Sequence, residues 1–152
     1  MKKITALMIK TTLMSYFRFK RQWITVDECL LADVVADTGS QIIEVEVKIS
    51  KSDLWKDKLK GKHKAIYSAT YNRYLPNKFY YCVPKELKRE AEKLVDELNP
   101  SYGIIIYQGR DDLWFCRLAK KLHKRYDSKF RWQIAKRCSS ALITRYEAIL
   151  NN

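Results

Sequence analysis

The chain has 152 residues, of which 47% are hydrophobic and 31% charged, and its formal net charge is +13 at pH 7. That length and apolar content suit one globular domain over residues 1–152 with a core of its own, and no run is long and apolar enough to cross a bilayer. So large a positive excess implies an acidic partner, nucleic acid before an anionic membrane surface.

Met1-Lys2-Lys3 followed by Ile4 to Phe17 has the outline of a signal peptide. Lys10 interrupts the apolar run and no small-x-small cleavage site follows, so an amphipathic helix over about 4–19 is expected instead. Ile4, Leu7, Met8, Leu13, Met14 and Phe17 make its apolar face, and it contains no acidic residue. Trp23 to Ala36 reads as strand, either one long bent strand or two short ones. Glu28 and Asp33 are an odd number of residues apart, so an unbroken strand puts them on opposite faces and only a bulge or turn lets them share a site. Glu28 therefore reads as a solvated or paired acid. Asp37-Thr38-Gly39-Ser40 is a hairpin turn.

Ile42-Ile43-Glu44-Val45-Glu46-Val47-Lys48-Ile49 alternates apolar and polar residues as a half-buried strand does. Ile43, Val45, Val47 and Ile49 should face the core, with Ile42, Glu44, Glu46 and Lys48 on the other side. Ser50 or Ser52 can cap the helix that follows, Asp53 to about Lys60, and Gly61 should end or bend it. A short helix from Lys64 to Tyr71, a loop through Pro76 and an aromatic strand at Lys78 to Val83 come next. Lys85 to Leu98 has helical spacing at Leu87, Ala91, Leu94, Val95 and Leu98. Gly103 to Tyr107 and Leu113 to Leu118 form a second hairpin. The last helix, about Ser128 to Leu150, should pack through Trp132, Ala135, Cys138, Leu142, Tyr146 and Ile149. The order predicts a mixed α/β fold, with an opening hairpin and helices that cross over to further strands.

The chemistry centres on Asp33, Glu46 and Lys48. Pairing across the Gly39 turn brings Asp33 beside the other two on adjacent strands. Two carboxylates about 4 Å apart repel by roughly 1–4 kcal/mol, and a bound dication relieves that. Phosphodiester hydrolysis needs a neutralised phosphate, an activated water and a stabilised leaving oxygen, all of which a divalent metal assists. Asp33, Glu46 and the Val47 carbonyl are thus expected to hold Mg²⁺ or Mn²⁺, with Lys48 orienting or helping to activate the water and offsetting developing charge. The plainer alternative for Glu46 and Lys48 is a solvent-exposed Glu–Lys ladder. Lys51, Lys56, Lys58, Lys60, Lys62, His63 and Lys64 follow the strand directly and are expected to contact a nucleic-acid backbone, as are Lys120, Lys121, Lys124 and Arg125 in a second basic cluster with Lys129 and Arg131. Tyr67, Tyr71 and Tyr74 are candidates to stack on unpaired bases or to lie in the core. Cys29, Cys82, Cys116 and Cys138 form no C-x-x-C pair and read as the reduced thiols of a cytoplasmic protein.

Asp33 followed by Glu46-Val47-Lys48 resembles the PD-(D/E)XK nuclease superfamily. Glu46-Val47-Lys48-Ile49-Ser50, Asp53-Leu54, Asp57-Lys58, Phe79-Tyr80-Tyr81-Cys82-Val83-Pro84 and Gly103-Ile104-Ile105 are similar to the MmcB-like DNA-repair proteins, over roughly residues 28 to 118. The resemblance implies a restriction-endonuclease-like core, a Mg²⁺ site at Asp33 and Glu46, and Lys48 as catalytic lysine. Ala32 stands where the superfamily often has proline, and the first helix lacks the additional acid that many members carry there. The expected function is a metal-dependent DNA nuclease of repair or processing type. Its alternatives are an inactive nucleic-acid-binding module of the same fold, or a basic protein-interaction or inhibitor domain. RNA in place of DNA stays open, and so does a homodimer, although no heptad or exposed apolar stripe stands out for one.

Overall fold

The structure, a computed structural model, describes residues 3–68 and 74–151. Six strands lie side by side in chain order: β1 (Ile24–Cys29), β2 (Ala32–Asp37), β3 (Ile42–Val47), β4 (Lys78–Pro84), β5 (Gly103–Gly109) and β6 (Asp112–Arg117). β1 to β3 form an antiparallel meander, β4 is parallel to β3, β5 is parallel to β4, and β6 turns back antiparallel. Among the described residues five α-helices accompany them: α1 (Ala6–Ser15), α2 (Lys51–Lys56), α3 (Gly61–Ser68), α4 (Lys88–Leu98) and α5 (Ser128–Leu150). The fold is mixed α/β, as expected. Among the described residues no helix is long and apolar enough to cross a membrane.

The sheet is covered on both sides. Ile9, Leu13 and Phe17 bring α1 and its π-helical extension Tyr16–Lys20 against Val34, Ala36, Ile43, Val45 and Cys82 on one face. On the other, Leu54, Ala91, Leu94 and Val95 carry α2 and α4 onto Phe79, Tyr81, Val83 and Ile104. Phe130 and Ile134 seat α5 on Val26, Val35 and Ile42 of the first three strands.

This cover corrects the half-buried expectation for β3, since all six of its residues are buried. The parallel β3–β4 pair requires a crossover, and the helices of that crossover roof the polar face. Ile49 is 40% exposed rather than in the core, because the strand has ended and Ser50 caps α2 through its hydroxyl at 3.3 Å from the Asp53 amide. Gly61 begins α3 instead of ending the helix before it. Trp23 to Ala36 is broken into β1 and β2 around Leu30-Leu31, with Glu28 at φ 49° and Leu30 at φ 57°. The expected helix to Tyr71 runs partly outside the described residues. The last helix has its expected bounds but not its expected face: Phe130 and Ile134 are buried, whereas Trp132, Leu142, Tyr146 and Ile149 are exposed.

One close approach depends on the absence of a side chain. A Cβ on Gly103 would fall within the Tyr80 ring's van der Waals envelope and 2.7 Å from the Ala119 backbone nitrogen. Gly103→Ala should therefore lower stability by about 1–3 kcal/mol, as overpacking does. Thermal unfolding checks this, and a melting temperature equal to that of the unsubstituted chain would contradict it.

Candidate metal and phosphate site

The ladder between β2 and β3 runs from Asp37↔Ile42 to Val34↔Val45 and stops there. One step further, Asp33 uses its side chain where the ladder would have continued. Its Oδ2 accepts the Val47 N–H at 2.8 Å. Asp33 is thereby fixed one residue from Glu46, on the neighbouring strand, and its Oδ1 lies 3.2 Å from the Lys10 ammonium of α1. Glu28 meets the same lysine. The positive φ at Glu28 and the β1–β2 turn supply the break that lets it share this lysine with Asp33. Burial opposes the charge on Lys10, but Glu28 and Asp33 outweigh it and raise its pKa.

Glu46 is 3% exposed, and both its oxygens face ammonium groups. Oε1 lies 3.0 Å from Lys48 and 2.5 Å from Lys60, and Oε2 lies 2.6 Å from Lys62. Lys62 also reaches Glu44 at 3.0 Å. Burial pushes the Glu46 carboxyl up, but Lys62 and Lys60 outweigh it, so its pKa falls below the ordinary glutamate range. At Glu44 desolvation outweighs Lys62 and the pKa rises. These burials rule out the solvent-exposed Glu–Lys ladder.

The crossover also delivers an acid that sequence reasoning passed over. Asp57 follows α2 in a single turn of 3₁₀ helix and is fully buried. Its Oδ1 is 3.0 Å from Lys48 and 2.5 Å from Lys60. Its Oδ2 accepts the Tyr81 hydroxyl at 2.6 Å and lies 3.0 Å from His63 Nε2, while His63 Nδ1 is 3.0 Å from the Tyr102 hydroxyl. Burial raises the Asp57 pKa, but bonds from His63, Lys60 and Tyr81 and the Lys48 charge hold it far below the ordinary range. Desolvation opposes the charge on Lys48 too, but Glu46 and Asp57 outweigh it and drive its pKa up. The two carboxylates at 3.0 Å thus favour the charged form of Lys48.

Of the residues expected to contact nucleic acid, Lys60 and Lys62 turn inward onto Glu46, with side chains 42% and 13% exposed. His63 is buried beneath the surface, which corrects its placement among the backbone contacts. Lys51 and Lys58 pair with Glu90 and Glu97 of α4, and Lys56 and Lys64 are exposed. Lys120, Lys121, Lys124 and Arg125 are exposed but belong to a different region. Their loop is tied to Asn77, which accepts from the Leu122 amide and donates to the His123 and Arg125 carbonyls. Asn77 in turn bonds Ile42 at the start of β3, roughly 20 Å from Lys48 at its far end. Tyr74 is 37% exposed and leans on Phe130, whereas Tyr71 and the Tyr67 side chain lie outside what the structure describes.

Asp33, Glu46 and the Val47 carbonyl would make an all-oxygen donor set, the type that hard dications prefer, but here Asp33 meets Lys10 of α1 whereas Glu46 meets Lys48, Lys60 and Lys62. Among the described residues no three His, Cys, Asp or Glu side chains converge as a ready metal cage. Magnesium does not require one, because it keeps several waters and takes one or two carboxylates. Both Glu46 oxygens, however, are already taken by ammonium groups, Lys48 and Lys60 at Oε1 and Lys62 at Oε2. A dication would have to draw ammonium groups off Glu46. Comparison with family models, curated proteins and solved structures finds no match.

Proposed function

We propose that the chain is a metal-dependent nuclease acting on DNA, of repair or processing type. The observation that carries this reading is the placement at one end of the sheet: Asp33 is anchored to the Val47 amide, the next residue after Glu46, and the buried Glu46 carboxylate pairs with Lys48. The element order supports it as well. A helix, a three-strand meander, helices and a parallel fourth strand suit the restriction-endonuclease-like core that the PD-(D/E)XK resemblance implies.

Asp33, Glu46 and the Val47 carbonyl would hold a Mg²⁺ or Mn²⁺ ion, which supplies Lewis acidity to the phosphoryl oxygen and acidifies the attacking water. Lys60, the more exposed of the two lysines turned onto Glu46, has the charge to receive a backbone phosphate and in doing so would release one Glu46 oxygen. Lys48, held between Glu46 and Asp57, keeps a positive charge beside the phosphoryl oxygens as negative charge builds there. Exposed Lys56 and Lys64 add phosphate contacts without reading sequence.

The experiment is supercoiled-plasmid nicking. Nicked circles should accumulate with Mg²⁺ or Mn²⁺ and disappear with a chelator, and DNA affinity should fall steeply as salt rises. The occupation of both Glu46 oxygens by ammonium groups favours one other reading, a DNA-binding module of the same fold without catalysis. No nicking and no heat on titrating Mg²⁺ or Mn²⁺, together with tight salt-sensitive DNA binding, would replace the first reading by the second.

A further inference from the structure

The apolar period of α5 is real, yet among the described residues its own chain does not cover it. Trp132, Leu142, Ile143, Tyr146, Ile149 and Leu150 are each between 52% and 84% exposed. At about 100° per residue they share an arc of about 120°, extending about 27 Å along the helix. Ala135 and Ser139, also exposed, fall in the same arc. Between Trp132 and Leu150 no Lys, Arg, Asp or Glu lies within it, in a chain of net charge +13, and Arg131, at its edge one residue before Trp132, is paired with Asp37. The side of α5 that rests on the sheet, through Phe130 and Ile134, is a different one.

We propose that this stripe joins two copies of the chain, their α5 helices antiparallel about a two-fold axis between Ala141 and Leu142. Charge complementarity selects that arrangement. Lys136 and Glu147 flank the arc on the same side and lie equally far from that centre in opposite directions. The two-fold therefore sets Lys136 of each copy level with Glu147 of the other, once at each end. On the other flank Arg145 comes level with Cys138, so no like charges meet. Size is complementary as well: Ala135 and Ser139 come within one residue of level with Ile149 and Ile143 of the other copy. Twelve large side chains at on the order of 100 Å² each reach about 1,200 Å², the lower bound for a stable dimer. The uncharged arc is also where two strongly basic copies repel least, so association should strengthen with salt.

Sedimentation equilibrium of the intact chain at up to about 100 µM and moderate salt tests this. The expected species has twice the 18.1 kDa chain mass. Leu142→Asp, or Ile149→Lys as a second variant, should leave a folded monomer, since both residues are exposed in the isolated chain. Lys136→Glu and Glu147→Lys should each weaken the dimer by about 3–10-fold, and the double variant should regain most of that loss. A monomer at every concentration, a dimer indifferent to both apolar substitutions, or a double variant no tighter than the single ones would overturn the proposal.

Discussion

Lys48→Ala should lower the rate of DNA nicking by about 10²–10³-fold, the usual effect of removing one preorganised electrostatic group from a reacting centre. DNA affinity should change by less than about 3-fold, because the exposed lysines that bind phosphate are elsewhere. The substitution is tolerable to the fold. Glu46 keeps Lys60 and Lys62, and Asp57 keeps Lys60, His63 and Tyr81. Lys48→Arg should rescue little, since a planar guanidinium does not fit the space of a compact ammonium held 3.0 Å from two carboxylates. Single-turnover nicking alongside a binding isotherm separates the two quantities. Nicking by Lys48→Ala within about 3-fold of the unsubstituted chain would remove Lys48 from the chemistry.

The largest stability effect should come from Asp57. Asp57→Ala deprives the buried Lys48, His63 and Tyr81 groups of a shared partner, and breaking a buried ion pair from one side costs about 3–5 kcal/mol. For a chain of this length that corresponds to a fall in melting temperature of roughly 6–20 °C. The same residue should shape the acid limb of stability. Its folded pKa lies below the 3.8 of a free aspartate, so the stabilisation is fully present above that value and is lost as pH falls through the folded one. Glu46 acts in the same direction. Glu44, whose pKa is raised, acts in the opposite one: its contribution is present at low pH and lost as pH rises. Melting temperature should therefore drop from about pH 5 downward, and Asp57→Asn should flatten that slope from a lower starting point. An Asp57→Asn profile parallel to that of the unsubstituted chain between about pH 3 and 6 would contradict this.

The local features of the chain were legible because local physics produces them. The Gly39 turn, the alternation of β3, the spacing of α4 and the extent of α5 all follow from residues close in sequence. What escaped is set by segments that return from a distance. Nothing near Glu44 or Glu46 announces that a crossover will roof them, so their face read as solvated. Asp57 sits on a short turn with no period of its own and gains its partners only when β4 supplies Tyr81 and α3 supplies His63. The lysines after β3 read as one outward cluster, because a row of like charges does not show which members fold back onto a buried acid. On α5 the apolar period gave the helix but not the face that meets the sheet, which is Phe130 and Ile134 rather than Trp132, Leu142, Tyr146 and Ile149. The Lys10 contact with Asp33 and Glu28 needed both the irregular end of β1 and the seating of α1 over the sheet.

Single-turnover nicking of supercoiled plasmid by the unsubstituted chain, Asp33→Asn and Glu46→Gln, each with Mn²⁺, is the most direct measurement. If Asp33 and Glu46 hold one ion beside the scissile phosphate, both substitutions abolish nicking while DNA binding persists. Nicking that continues at the same rate in either variant would mean that the two acids do not meet at a metal.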